Sequence, residues 1–309
     1  MSKPSASPQA QAESYALYGL SYADDHVADT FDIRIVADML DISYSHFYHT
    51  FSAVMNEPYW HYVKRHRIEL AAGMLRHSGY SIAEIGELSG YMTLAAFSKA
   101  FKQHFKYSPK DFRKIQILPN EKRTLHITET ITASFGNNML ANLFHYDRTE
   151  RISISESTLY YTLLSHGDDP ITEMVLKMNN HENRFRKIIE IFDIPQALVI
   201  TGTLDAVPVT NYEKLSIFAG ILLPNHQLAA HKQLRDNYPY LLQKRIQGGS
   251  FLKLRLPLSF AAAGIPMYEF IDRSCREGIF KMRDNQFFIS LTGPNSCEIF
   301  IPLLKQRVI

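Results

Sequence analysis

The chain has 309 residues, of which 46% are hydrophobic and 21% charged, a length that predicts two domains and a composition that predicts an ordinary soluble globular protein. No apolar run approaches the roughly 18 residues needed to cross a bilayer, so no membrane partner is expected. The formal net charge of +2 announces no nucleic-acid binding by bulk basicity, and Cys275 and Cys297, without CxxC spacing, read as reduced thiols of a cytoplasmic protein.

Residues 1–14 (MSKPSASPQAQAES) are polar and small, and residues 1–20 are expected to form a disordered tail with no apolar leader segment. Ile33, Val36, Ala37 and Leu40, then Phe47, Phe51 and Val54, recur at spacings of three and four, which predicts short amphipathic helices. A longer helix is predicted from about Tyr59 to Leu75, with Trp60, Val63, Ile68, Ala71, Ala72 and Leu75 on one face and Lys64, Arg65, Arg67 and Arg76 largely off it. At about 25 Å it is long enough to bridge two small modules. Ser81 caps a further helix opening on Ile82-Ala83-Glu84-Ile85, Gly90 marks a turn, Leu94–Phe105 form another helix, and Ser108-Pro109 start a last short one.

The polar segment Pro119–Arg123 predicts a linker, so residues 117–150 are read as linker or extra strand. Beyond it lie β-type runs at Ile152–Leu164, Ala197–Leu204, Tyr212–Leu222, Ser250–Leu256 and Cys297–Pro302. Amphipathic stretches at Ile171–Phe192 and Ile265–Arg283 interrupt them, which implies an α+β domain over residues 151–309.

Within the helical part, Ile33–Leu40, the turn Asp41-Ile42-Ser43 and Tyr44–Met55 have the form of a helix-turn-helix. Ile82–Leu88, the turn Ser89-Gly90-Tyr91 and a helix from about Thr93 to Phe105 repeat that form. From Phe31 to Arg113 the chain resembles the AraC-type DNA-binding domain. The specific run is Ile82-Ala83-Glu84-Ile85, Ser89-Gly90-Tyr91, Phe97-Ser98-Lys99-Ala100-Phe101-Lys102, Phe105 and Ser108-Pro109-Lys110-Asp111-Phe112-Arg113. The first unit matches through Val36-Ala37, Ser43, Phe47, Phe51, Tyr62, Arg67, Ala71 and Leu75. Asp41 and Asn56 replace the family's usual glycines with residues that tolerate positive φ, and Gly86 replaces an alanine at a helix cost of about 1 kcal/mol.

The resemblance implies an all-α double helix-turn-helix domain over residues 21–116, followed by an antiparallel-sheet domain. It places Ser45, Tyr48 and His49 of the first unit, and Leu94, Ala95, Ser98 and Lys99 of the second, in consecutive major grooves of double-stranded DNA. Neither set offers an arginine or glutamine for bidentate base reading, so thymine methyl contacts and backbone positioning are expected to carry more of the recognition. Phosphate contacts are expected from Lys64, Arg65, Lys102, Lys106 and Lys110. The alternative is a purely structural helical domain with a solvated charged surface.

The C-terminal part resembles the gyrase-inhibitor-like effector-binding domain. The resemblance runs through the strand Ile152–Leu164, the run Gly202–Thr210, Gly248-Gly249-Ser250-Phe251 and the ending in which Glu298, Phe300 and Pro302 keep the family's spacing. Strand alternation puts Glu298 and Phe300 on one face. A carboxylate among aromatic rings suits a cationic, lipophilic small-molecule effector, with Tyr161, Phe218 and Tyr268, together with Tyr240, Phe287 and Phe288, as candidate lining. For any one ring, burial in the core is the alternative. The family's late tryptophan is missing near Phe280; the single tryptophan is Trp60.

No G-x-S-x-G, P-loop, dinucleotide fingerprint or HExxH occurs, and Asp168-Asp169-Pro170 reads as a turn and helix start, so no enzyme chemistry, cofactor or metal is expected. Together these readings predict a cytoplasmic transcription regulator whose partners are duplex DNA, a small-molecule effector and RNA polymerase. A C-terminal protein-interaction module, or an enzyme domain using Glu298 as general base, remain the other readings.

Overall fold

The computed structural model describes residues 7–29, 32–115, 142–165, 170–207, 209–210, 214–293 and 295–304. The segment Pro119–Arg123, and with it most of the expected linker, lies outside the described residues. Among the described residues no helix is long and apolar enough to cross a membrane.

The described residues open on a helix, α1 (Pro8–Asp25), where the later part of the expected disordered tail would lie. Ser7 Oγ accepts a hydrogen bond from Ala10 N, proline occupies the first turn, and Ala16, Leu20 and Ala23 form a narrow buried stripe. Leu17, Tyr18 and Tyr22 pack partly buried beside them, and the burial of the stripe comes from tertiary packing. Gly19 lets α1 approach closely, since a Cβ there would sit 2.8 Å from the Phe47 ring.

Two helical units of matching form follow. In the first, α2 (Ile33–Met39) has 7 residues and α3 (Tyr44–Met55) has 12. The long α4 (Tyr59–His77) leads to α5 (Ile82–Leu88) with 7 residues, α6 (Leu94–Phe105) with 12, and the short α7 (Pro109–Phe112). Ser43, Thr93 and Ser108 accept hydrogen bonds from the third residue of their helices, and Ser81 with Glu84 forms a full capping box. The tight turns pass through positive φ, 54° at Asp41 and 77° at Gly90.

An eight-stranded, wholly antiparallel sheet forms the rest. Its strands are β1 (Thr149–Ile154), β2 (Ser157–Ser165), β3 (Leu198–Thr203), β4 (Ile217–Pro224), β5 (Leu242–Ile246), β6 (Gly249–Leu256), β7 (Phe288–Gly293) and β8 (Ser296–Pro302). They lie in the order β1-β6-β8-β7-β3-β4-β2-β5. Among the described residues, three α-helices of eight residues or more accompany it: α8 (Pro170–Ile191), α9 (Leu228–Asn237) and α10 (Phe260–Arg276). The run Ile152–Leu164, expected as one strand, is broken at Ser155-Glu156 into β1 and β2, which pair with β6 and β4 respectively.

Strand alternation gives the sheet two apolar faces. Val199, Ile221, Leu254 and Ile299 point to one, where Phe185 and Ile188 of α8 and Met267 and Phe270 of α10 cover them. Tyr161, Phe218, Phe251, Phe288 and Phe300 belong to the other, in one cluster with Ala16, Leu20, Phe47, Phe51 and Tyr59 of the N-terminal helices. Both free cysteines are buried on the first side, and burial pushes each thiol up to about 12.

Candidate nucleic-acid interface

Each 12-residue helix turns its aromatic residues inward and leaves its opposite face free. In α3, Phe47 and Phe51 are fully buried, Ser45 and His49 are exposed, and half-buried Tyr48 stacks on Tyr44 at 6.1 Å. In α6, Phe97 and Phe101 are buried, Leu94, Ala95 and Lys99 are exposed, and Ser98 is half-buried. All seven residues expected to face the grooves therefore lie on exposed or partly exposed sides of the two helices.

The expected phosphate contacts divide. Lys64, Lys102, Lys106 and Lys110 are exposed, with the Lys64 ammonium 4.9 Å from the Trp60 ring centroid and the Lys106 ammonium donating to Gln103 O at 2.9 Å. Arg65 is placed differently. Its side chain is 10% exposed, and its guanidinium donates to Glu57 at 3.0 Å and to Glu69 at 2.9 Å. Burial opposes its charge, but those two carboxylates outweigh the penalty and hold it more firmly protonated than a free arginine. Arg65 is thus an internal pair partner, because its carboxylates stand one helical turn away on α4 and in the turn before it. Trp60, expected on the buried face of this helix, is 45% exposed.

The other side of α4 meets the sheet domain through polar groups. His66 is fully buried between Asp24 of α1, at 3.2 Å, and Asp205 of the loop after β3, at 3.6 Å, with the Tyr62 ring stacked on it at 5.4 Å. Lys244 of β5 pairs with the same Asp24. Burial works against the His66 charge, yet the flanking carboxylates of Asp205 and Asp24 raise it from 6.5 to about 9. One turn along, Thr210 Oγ1 donates to Glu69 at 2.9 Å. At the C-terminal end Arg76 donates to both oxygens of Asp272, at 2.8 and 2.9 Å, and His77 Nε2 lies 3.2 Å from the same carboxylate. Burial would raise Asp272, but His77 and Arg76 hold it well below the usual carboxylate range. Met282 N donates to His77 O at 2.8 Å, and Asn285 Nδ2 to Leu70 O at 2.9 Å.

The residues expected to hold an effector are not gathered around one opening. Tyr161, Phe218 and Phe300 share a sheet face, but they are buried there beneath the N-terminal helices, and Tyr161 Oη donates to Ser21 Oγ of α1 at 2.9 Å. Tyr268 packs against Phe287 at 5.2 Å with the cluster on the opposite face, and Tyr240 is exposed beside Arg184. Glu298 shares the Phe300 face as strand alternation requires, and its carboxylate accepts Lys253 at 3.1 Å and Arg255 at 2.9 Å. The chain's own cations thus occupy the charge that an external cation would need. The helix α1, which closes this face, was missed, although the Ser7-Pro8 cap and the spacing of Ala16, Leu20 and Ala23 mark it as a helix.

Residues 36–115 match the family described as a helix-turn-helix domain. This stretch is similar to known helix-turn-helix transcription regulators. It is 36% identical over 81 residues to the HTH-type transcriptional regulator AlkR of Acinetobacter baylyi, covering 26% of each chain. It is 30% identical over 94 residues to the HTH-type transcriptional activator RhaS of Escherichia coli, covering 30% of this chain and 34% of that one. Among solved structures, the C-terminal domain of AraT, a response regulator from Geobacillus stearothermophilus, is 26% identical with a TM-score of 0.32, covering 34% of this chain and 87% of that one. The chain therefore spans only about a quarter to a third of the curated relatives it matches, all of it within the helical part.

Proposed function

We propose that this protein is a transcription regulator that binds duplex DNA through α3 and α6, placed in two consecutive major-groove segments. The observation that carries this reading is the repeated pair of a 7-residue and a 12-residue helix, each pair leaving the long helix's outer face free, with α4 joining them. Exposed Lys64, Lys99, Lys102 and Lys110 supply the phosphate-binding charge, while the buried Arg65 does not. Because the reading residues include no arginine, and no glutamine is among them, base discrimination rests on apolar contact from Leu94 and Ala95 and on groove shape.

For the sheet domain, the geometry favours a holding role over an open effector pocket. It grips α4 at His66, Glu69 and Arg76, and its aromatic face is covered by α1. Selection of duplexes from a random library with the full chain tests the reading. The expected result is a motif of two half-sites about one helical turn, roughly 10 base pairs, apart, bound with a steep salt dependence. Absence of any enriched motif and of any salt-sensitive binding would overturn it.

A further inference from the structure

Between the two DNA-reading helices lies a ridge with no role in the fold's core. Trp60 is 45% exposed although Tyr59, Tyr62 and Val63 beside it are buried, and Lys64 stands over its ring. On one side of the ridge, a concavity of about 580 Å³ runs between α4 and α6, lined by Trp60, His61, Lys64, Gln103 and His104. On the other side, a concavity of about 480 Å³ lies against α2 and α3, lined by Ile33, Tyr44, Tyr48, Trp60 and His61. Trp60 and His61 line both hollows, so they stand between the two helix-turn-helix units.

Duplex DNA read in two successive major grooves turns the intervening minor groove, with its two bordering sugar–phosphate strands, toward the middle of the protein. The middle of this protein is that ridge. Its chemistry fits the DNA strands: an indole with an apolar face and one N–H donor, an imidazole beside it, and an ammonium held in place by the ring below. Of the other cations lining the hollow between α4 and α6, Arg65 is neutralised by Glu57 and Glu69 and half-buried Arg67 donates to Asp29 O, which leaves Lys64 as the exposed charge.

We infer that Trp60, His61 and Lys64 form a third DNA-contact site, which clasps the strands bordering the minor groove between the two half-sites. In it Trp60 packs on deoxyribose, His61 hydrogen-bonds a phosphate and Lys64 neutralises a second one. This rests on the DNA-binding reading above, and the test separates the two. Trp60 is the single tryptophan of the chain, so its fluorescence reports this ridge alone. The full-length protein is titrated with a fluorescently labelled duplex of about 30 base pairs enriched by selection, and with a mixed-sequence duplex of the same length at low salt.

Binding is read from the anisotropy of the DNA, and contact from acrylamide quenching of Trp60. The expected results are a drop in Trp60 quenching as DNA saturates, and an affinity about fivefold or more weaker for Trp60→Ala. Lys64→Gln is expected to lower the salt slope by about one. DNA that binds while Trp60 stays as accessible to acrylamide as in the free protein, or a Trp60→Ala variant with unchanged affinity, overturns the third site and leaves the two recognition helices intact. Absence of binding by anisotropy at low salt overturns both.

Discussion

His66 carries a positive charge into the centre of the molecule, and two separate elements answer it, Asp24 from α1 and Asp205 from the loop after β3, while Lys244 of β5 shares Asp24. A histidine with a raised folded pKa stabilises the fold in its protonated form. That contribution is whole below about pH 6.5, where the unfolded side chain is protonated too, and is lost as pH climbs through about 9. The shift corresponds to about 3 kcal/mol. Urea unfolding across pH 6 to 10 is therefore expected to show falling stability in the native chain, and a flatter profile in His66→Gln. Equal pH slopes would remove His66 as the source. A second residue-scale outcome follows from the division of the phosphate contacts. Lys102→Ala should lower the salt slope of DNA binding by about one, because the side chain is exposed on α6. Arg65→Ala should leave that slope unchanged and destabilise the fold instead, since it removes the buried guanidinium that Glu57 and Glu69 share. The sequence marked both residues as cations off the apolar face of a helix. Glu69, four residues after Arg65 on the same helix, was a legible partner, but Glu57 lies in a turn whose direction only the folded chain sets.

The two helix-turn-helix units use one geometry with different residues at its tightest point. Gly90 has φ of 77°, and a Cβ there would sit 2.6 Å from Val27 O and 3.0 Å from the Arg67 guanidinium. Gly90→Ala combines backbone strain with collision and is expected to cost about 2 kcal/mol or more in thermal or urea unfolding. Asp41 holds φ of 54° in the equivalent turn, so Asp41→Gly should change stability by less than about 1 kcal/mol, and a large loss there would mean the carboxylate has a structural duty. At this scale the sequence was most readable where a cap or a turn residue is chemically required. Ser43, Ser81, Gly90 and Ser108 each announced their element, and Gly86 has a reason in the structure, since a Cβ there would press to 3.2 Å on the Phe97 ring. The elements that went unpredicted carry weaker markers, or, in α1, a Ser7-Pro8 cap set within a polar, small-residue stretch. The helix α1 has its apolar stripe built from Ala16, Leu20 and Ala23, while β5 reads Leu-Gln-Lys-Arg-Ile because it is an edge strand with a polar side. Their order comes from what they pack against, and Tyr161, Phe218 and Phe300 were expected to face a ligand for the same reason: nothing in their own strands reveals that α1 lies over them.

At the scale of the whole molecule, α4 belongs to both halves. Its outer side joins the two helix-turn-helix units, and its inner side is fastened to the sheet domain at His66, at Glu69 and at the Arg76–His77 end. Fastening of this kind predicts that the DNA-binding half and the sheet unfold together rather than as independent domains, because separating them leaves buried charges uncompensated. Trp60 fluorescence follows the first half and circular dichroism of the whole chain includes the second, so the two denaturation curves should coincide in the native protein. Asp272 is the sharpest place to break the link: it accepts Arg76 and His77 from α4 and Arg276 from its own helix, and all but Arg276 cross the junction. Asp272→Ala leaves the Arg76 guanidinium buried with only the Ile115 carbonyl as a partner, a loss of about 3 to 5 kcal/mol concentrated at the junction. The expected consequence is a split in which the Trp60 transition moves to lower denaturant than the loss of sheet signal. Curves that remain superimposed in the variant, at unchanged midpoint, would mean that the remaining contacts at His66 and Glu69 hold the two halves together without this pair.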